Sequence, residues 1–533
     1  GFSAVTEDIK DLSEKETPLY GVTAIILCVI VLFMGLESSI APFIFVLGIA
    51  FPVAYNFGTN VFLGEVSYIT KALALVLQLG VTMDYSIFLL HRYQEEKNKT
   101  SNRDEAMSNA IQATFTSITS SSVTTIAGFL ALCAMQLTLG KDIGIVMAKG
   151  VIFGVLSTII ILPSLLMRFD KYIEKWKHPI ILKEPKKLPA FLTKHYKGIL
   201  VIFLVLFIPM GYAQNHTKVY YDLSANMPQD FASIIGTNKL KDQFHMTTTH
   251  FLLVDENLEN YQIKEICDEV EKLNGVYSVV SYESLIGGRI PTQLEPEAVK
   301  TILNNGGKKM ILVNSTYRAA TDEENEQLDK IDNIMHKYDK HAVIAGEGSL
   351  TRDLITTTDI DFKMVNILSV LAIFLIIVIT FKSLALPVIL VASIEFAICI
   401  NMGIPYFTGS VLPFIASIVI GTIQLGATVD YAILMTTRYK EELSNGKPVI
   451  EAAREAAAKS APSIITSGLS FFAACIGVSF IAKMDLIKSL CTLISRGAVI
   501  SMLVILLVLP ALLIIFHKAI EKTTKGWPKA NLK

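Results

Sequence analysis

Eleven uninterrupted apolar blocks constrain this chain more than anything else in it. They lie near 19–36, 40–57, 66–91, 113–137, 142–167, 198–213, 364–381, 384–403, 411–437, 461–482 and 487–516. An α-helix rises ~1.5 Å per residue, so roughly twenty apolar residues cross the hydrocarbon core of a bilayer. Within that core the backbone must satisfy its own hydrogen bonds, which favours helices. The buried helices of a soluble domain are shorter and carry polar faces. Only 18% of residues are charged and 52% are hydrophobic, with a mean hydropathy of +0.50. The chain reads as a polytopic α-helical membrane protein.

Basic residues in short loops set orientation. The connection RFDKYIEKWKHPIILKEPKKLPAFLTKHYK (168–197) is strongly basic, as is the tail after His517. Arg92, Lys97, Lys99 and Arg103 follow the third block, and Arg438, Lys440 and Lys447 follow the ninth. If every block crosses once, all four sites fall on one side, expected to be cytoplasmic. Residues 1–18 are then expected outside, as the end of a first external domain. Residues 19–168 carry the first five blocks, 169–197 form a basic cytoplasmic linker, and 198–214 hold the sixth. Residues 215–362 form an external domain, 363–517 the last five blocks, and 518–533 a basic cytoplasmic tail.

The polar insertion 215–362 has 24 Asp and Glu against 14 Lys and Arg. Its pattern is mixed. HFLLVDE reads as a strand, YQIKEICDEVEKL as a helix and GVYSVVSYE as a strand. After a helical insert near 295–304 the order recurs in KKMILVNSTY, TDEENEQLDKIDNIMHKY and HAVIAGE. Two β-α-β units in series predict a ferredoxin-like α+β domain.

The two sets of helices share an internal repeat. Pro42 and Asn56 match Pro387 and Asn401 at a separation of 345, and Gly150 and Pro163 match Gly497 and Pro510 at 347. The segment QLGVTMDYSIFLLHRYQ (78–94) returns as QLGATVDYAILMTTRYK (424–440), 346 residues on. Both copies cross in the same direction, which predicts parallel repeats. The second copy is preceded by a helix and an external domain. By symmetry, a further helix and a twin domain are expected ahead of Gly1.

Each repeat places an aspartate, Asp84 or Asp430, inside an apolar run. A charge at mid-membrane costs roughly 2.5–3.5 kcal/mol on insertion scales. Asp84 lies eight residues before Arg92, about 12 Å at ~1.5 Å per residue, too deep for a short side chain to reach the interface. It must face protein or a water-filled cavity. Gly80 and Gly426, four residues earlier, allow a partner helix to approach beside the carboxylate. Gln78 shares a face with Tyr85, and Gln424 with Tyr431. Thr82 and Thr428 can bond backward or toward a partner. If the two helices pack about the pseudo-two-fold axis, the carboxylates face each other. Like charges in low dielectric resist double ionisation, which suits the pair to binding and releasing a proton. Tyr85 and Tyr431 can orient the carboxylates. Two other readings stay open: protonated aspartates as packing contacts, and a sodium site.

Other polar groups carry weaker signals. Glu395 is intramembrane, but its counterpart is Ala50. It serves either as a relay or substrate contact, or in packing. Ser121 in TSITSSSVTT and Ser467 in SAPSIITSGLS occupy matching positions and can line a proton path or pack closely. Lys149 and Arg496 read as interface anchors, and His91, matched by Thr437, as an interfacial residue. Segments 103–112 and 449–459 read as amphipathic surface helices. The six cysteines form no CxxC or Cys/His cluster, so neither a disulfide framework nor a metal site is suggested. No nucleotide-binding loop or nucleophile elbow is present, so neither an enzyme nor ATP as the energy source is expected. Nothing points to nucleic acid.

With these residues in view, the chain resembles the resistance-nodulation-division (RND) transporters. The Asp-Tyr pairs followed by Arg92-Tyr93 and Arg438-Tyr439 resemble the MMPL branch in particular. The resemblance covers the whole chain, less a first helix and first external domain. It implies a bacterial plasma-membrane exporter of lipids, hydrophobic or amphiphilic compounds, drugs among them. Such an exporter is driven by protons at the interface of the two Asp-Tyr helices, needs no cofactor, and is compatible with a homo-oligomer. The architecture is shared with SecDF-like translocation accessories and sterol-sensing lipid receptors or scaffolds. The carboxylate pair favours the proton-driven readings over a scaffold.

Overall fold

In the computed structural model, which describes residues 2–100, 102–181, 187–221, 227–286 and 303–529, each apolar block lies in a helix. The first six long helices are α1 (Phe2–Gly35), α2 (Ala41–Gly58), α3 (Tyr68–Lys97), α4 (Arg103–Ala131), α5 (Thr138–Lys175) and α6 (Tyr196–Asn215). Shorter helices follow, among them α7 (Asn260–Glu271) and α8 (Asp322–Tyr338), and then come α9 (Glu347–Phe381), α10 (Ala385–Thr408), α11 (Phe414–Ser444), α12 (Val449–Ile481) and α13 (Asp485–Ile515). The described residues thus hold 11 helices long and apolar enough to cross a membrane. By contacts the chain divides into a helical unit, residues 12–219 and 360–533, and a second unit, residues 1–11 and 220–359.

In the helical unit, local chemistry starts the helices. Ser67 Oγ accepts from the Ile69 amide ahead of α3, and Asn102 Oδ1 accepts from the Asp104 amide ahead of α4, satisfying donors the first turn leaves free. Pro42 stands in the first turn of α2, where its missing N–H removes nothing. A π-turn at Ser157–Ile161 interrupts α5 just before Pro163, whose ring admits no amide donor. Burial ranks the helices. In their most apolar windows α3 is 94% and α11 89% buried, against 11% for α6. The two aspartate-bearing helices are therefore central, and α6 presents its apolar side chains outward.

One expectation needs correction here. Segments 103–112 and 449–459 are not separate surface helices; they are the opening turns of α4 and α12. Residues 2–18 run into the first block as one helix, with Pro18 accommodated within it.

The second unit holds a sheet of β1 (Thr248–Asp255), β2 (Val276–Val280), β3 (Asn304–Asn305), β4 (Lys308–Ser315) and β5 (Val343–Gly346). The order is β2-β4-β1-β5, with β3 on β4 and all pairs antiparallel. Burial alternates along β1 and β4, so one face carries Leu252, Val254, Ile311 and Val313. Ile263, Ile266 and Val270 of α7 and Leu328, Ile331 and Met335 of α8 close over it. Cys267 is buried in this core beside Ser281. His250 of β1 and Glu324 of α8 are also wholly buried, 4.0 Å apart. Burial holds the imidazole down at about 4 and lifts the carboxyl to about 7. The helical insert expected near 295–304 lies mostly outside the described residues.

Candidate functional site

Asp84 and Asp430 are each 1% exposed, and Tyr85 and Tyr431 are fully buried. Both carboxylates therefore lie where their depth in the sequence requires, inside protein. The packing around them differs from expectation in one respect. Helices α3 and α11 do not lie along each other; each packs against both α4 and α12, which stand between them. The reason is side-chain volume. The faces of α4 and α12 that line this centre are rich in Ser, Thr and Gly, so α3 and α11 settle against them more closely than against each other.

The glycines show this. A Cβ on Gly426 would lie 3.5 Å from the Thr125 carbonyl, while one on Gly128 of α4 would lie 3.2 Å from Gly426 Cα, so backbone meets backbone there. At Gly80 the visitor is not a backbone but the ring of Phe471 on α12, which a Cβ would meet at 2.2 Å. Thr125 and Phe471 are 346 residues apart, so the same position carries a hydroxyl beside Gly426 and Asp430 in one half and a ring against Gly80 in the other.

The tyrosines cross over. Asp84 is faced by Tyr431 and Ser467, and Asp430 by Tyr85, Ser121 and Thr125. Ser467 Oγ donates to Tyr431 Oη at 3.3 Å. Thr125 Oγ1 lies 2.8 Å from the Gly426 carbonyl and 3.5 Å from Asp430 Oδ1. Among the described residues, Asp84 Oδ1, Asp430 Oδ2, Tyr85 Oη and Ser121 Oγ are buried with no hydrogen-bond partner. Each such group costs ~1–3 kcal/mol if left unsatisfied. A site that gathers several of them is built for polar chemistry rather than for stability.

The supporting residues fall on other faces. Gln78 accepts from Asn56 Nδ2 at 2.9 Å and donates to the Gly150 carbonyl at 3.3 Å. Gln424 accepts from Asn401 Nδ2 at 2.8 Å and donates to the Gly497 carbonyl at 3.4 Å and to Ser501 Oγ at 2.9 Å. These bonds tie α3 to α2 and α5, and α11 to α10 and α13, facing away from the carboxylates. Thr82 and Thr428 bond backward to the Gln78 and Gln424 carbonyls at 2.6 Å. Glu395 is half-buried on α10 and joins none of these groups. The Arg496 guanidinium donates to Asn401 Oδ1 at 2.8 Å and to the Asn401 carbonyl at 2.7 Å. Lys149 likewise donates to Asn60 Oδ1 at 2.7 Å.

Beyond the carboxylates, toward the basic ends of α3 and α11, a cavity of about 610 Å³ opens between α3, α4, α11 and α12. Arg438 pairs with Glu95 at 2.7 Å and with Glu441 at 3.0 Å, while Arg92 pairs with Glu95 at 3.0 Å and with Glu441 at 3.8 Å. This four-charge ring joins α3 and α11 where their backbones do not. The adjoining tyrosines anchor outward, Tyr93 to Asp170 at 3.2 Å and Tyr439 to His517 at 2.9 Å. His91 is not merely interfacial: it is partly buried in the cavity wall, with Nδ1 2.7 Å from Ser463 Oγ. Sequence reasoning missed Thr125, Ser117, Ser463 and this ring. The serines had a signal, since Ser117 and Ser463 repeat at the same 346-residue offset as Ser121 and Ser467.

Comparison with known proteins agrees with this architecture. The MMPL family matches residues 1–181 and 229–531. The chain is similar to the membrane protein MJ1562 of Methanocaldococcus jannaschii, 30% identical over 31% of this chain and 42% of that one. It is similar to the membrane protein YdfJ of Bacillus subtilis, 19% identical over 77% of this chain and 57% of YdfJ. A third relative, named Probable transport protein MmpL11, from Mycobacterium leprae, is 25% identical over 36% of this chain and 20% of its own. The chain thus spans less than two thirds of the length of each of these relatives.

Proposed function

Because this chain belongs to the MMPL family of the RND superfamily and is a multi-pass membrane protein, we propose that it works in a secondary transporter driven by the proton gradient. The cargo class is lipids or other hydrophobic or amphiphilic compounds, exported across the plasma membrane. One observation carries the reading: two buried carboxylates, each faced by the tyrosine of the opposite helix. A proton on Asp84 or Asp430 removes a charge that low dielectric penalises. The tyrosine and serine hydroxyls supply donors to whichever carboxylate is ionised. Moving one charge through 100 mV is worth about 2.3 kcal/mol, enough to bias α3 and α11 between two arrangements against α4 and α12. The glutamine–asparagine clamps keep each aspartate helix attached to its own set of neighbours while this happens.

The matched clamps at Gln78 and Gln424 support two parallel repeats. The sheet order β2-β4-β1-β5 with α7 and α8 on one face supports a ferredoxin-like domain. On the loop-charge rule that domain is extracytoplasmic, and the ends bearing Arg92 and Arg438 are cytoplasmic. The test is a substrate-dependent pH change inside proteoliposomes, with a sodium gradient as the control arm. Asp84→Asn and Asp430→Asn should each abolish the change while leaving the protein folded. Full transport by either variant refutes the relay, and transport that follows sodium alone reassigns the ion.

A further inference from the structure

We propose that the proton passes between the carboxylate pair and the basic-end cavity along one of two hydroxyl stripes, the one that ends at His91; this rests on the relay reading above. On α4, Thr114, Ser117 and Ser121 lie at spacings of three and four, one face of a helix. On α12, Ser460, Ser463 and Ser467 repeat the pattern 346 residues later. In each stripe the deepest hydroxyl faces a carboxylate, Ser121 toward Asp430 and Ser467 toward Asp84. The other two line the 610 Å³ cavity. Two stripes therefore join the same pair to the same cavity.

Their ends differ. The α12 stripe meets His91, with Nδ1 2.7 Å from Ser463 Oγ. The position matched to His91 is Thr437, which also lines the cavity but cannot hold a proton as a cation. Imidazole has two ring nitrogens, so it can accept a proton on one and release one from the other, which no other side chain of this wall does. The charged groups lining the cavity with it are Arg92 and Glu95 on its own helix, Arg438, Lys440 and Glu441 from α11, Lys459 from α12 and Glu37 just after α1; α4 contributes only uncharged side chains. The two arginines and two glutamates are paired in the ring described above, so their charges offset one another at the imidazole.

The transfer moves one proton and breaks no heavy-atom bond. The Asp84 carboxyl gives its proton to Ser467 Oγ, which releases its own toward Ser463. Those residues are four apart, about 6 Å of helix rise, and we place one bridging water in that gap. Ser463 passes its hydroxyl proton to His91 Nδ1 and is refilled from behind. The imidazolium then gives its Nε2 proton to the cavity, and exchange of the remaining ring proton from Nδ1 back to Nε2 restores the accepting nitrogen before the next transfer. Reversing the order carries a proton inward to the pair.

The experiment follows proton flux into proteoliposomes under an imposed gradient, for the whole chain and for Asp84→Asn, His91→Ala, His91→Asn, Ser463→Ala and Ser117→Ala. Expected is a loss of about tenfold or more for His91→Ala and Ser463→Ala, and of less than about twofold for Ser117→Ala. Imidazole added on the cavity side should restore flux to His91→Ala, with substituted imidazoles ranked by their basicity. If Asp84→Asn abolishes flux while His91→Ala does not, or Ser117→Ala is as damaging as Ser463→Ala, the His91 stripe is refuted and the relay stands. Normal flux in His91→Asn also refutes it, since an amide supplies the hydrogen bond but not the proton transfer. If Asp84→Asn leaves flux intact, the relay falls and this inference with it.

Discussion

Gly80 and Gly426 occupy the same place in the repeated motif, yet the structure predicts opposite outcomes for the same substitution. In Gly80→Ala the new methyl would sit 2.2 Å from Phe471 Cδ2 and 2.8 Å from Cε2. Phe471 is 2% exposed, so its ring has no free space to enter. Overpacking of this kind costs typically 1–3 kcal/mol, and the gain in helix propensity over glycine returns ~1 kcal/mol at most. The net expectation is a loss of about 1–2 kcal/mol, with α3 pushed away from α12 and Asp84 from Ser467. In Gly426→Ala the nearest atom lies at 3.5 Å, an ordinary van der Waals distance. That variant should be neutral or up to ~1 kcal/mol more stable. The assay is thermal unfolding of the purified chain in a fixed detergent, paired with transport in proteoliposomes. Gly80→Ala should melt several degrees lower and transport poorly, while Gly426→Ala resembles wild type. A cycle with Phe471→Ala should return most of the loss, because the ring is the obstruction. Equal destabilisation by both alanines, or no coupling to Phe471, would refute the assignment of these two contacts.

Three further predictions concern the surroundings of the pair. Gln424→Leu strips the partners of Asn401, Gly497 and Ser501 at once; at ~1–3 kcal/mol for an orphaned buried group it should lower the melting temperature more than any exposed substitution on α11, and a silent variant contradicts the clamp. Arg438→Met leaves Glu95 without its 2.7 Å partner, so proton flux should become more sensitive to salt while the fold survives, which a salt titration of the flux checks. In the sheet-bearing unit, burial lifts Glu324 to about 7. Its favourable neutral form is fully populated below the ordinary glutamate value and is lost as pH rises through about 7. Glu324→Gln should therefore stabilise that unit by about 1–3 kcal/mol at pH 8 and by little at pH 4. Hydrogen exchange of β1 and β4 at the two pH values reads it, and equal effects at both would contradict the sign.

What could be read from the sequence was local or periodic. The 11 helices long and apolar enough to cross a membrane among the described residues follow from block length alone, because the bilayer sets one thickness for every helix. The two buried aspartates followed from depth, since eight residues of helix before Arg92 put Asp84 beyond reach of water. Alternation along HFLLVDE and KKMILVNSTY gave β1 and β4, because a pleated strand sends neighbours to opposite faces. The order of the sheet, which pairs β1 with β4 and β5, could not be read that way, since strand pairing is a contact between distant segments.

Partners were decided only in three dimensions. A helical wheel gives the angle at which a side chain leaves its helix, not what stands there. It therefore left Gln78 and Tyr85 on one face, whereas packing sends the first to Asn56 and Gly150 and the second toward Asp430. The motif reads the same in both halves, but its environment does not. Thr125 stands beside Asp430 while its counterpart Phe471 packs on Gly80, and His91 and its matched threonine line the same cavity. The sequence determined that two carboxylates would be buried and where along their helices. The tertiary structure decided which hydroxyls reach them, because those hydroxyls come from α4 and α12, brought there by long-range packing of small side chains.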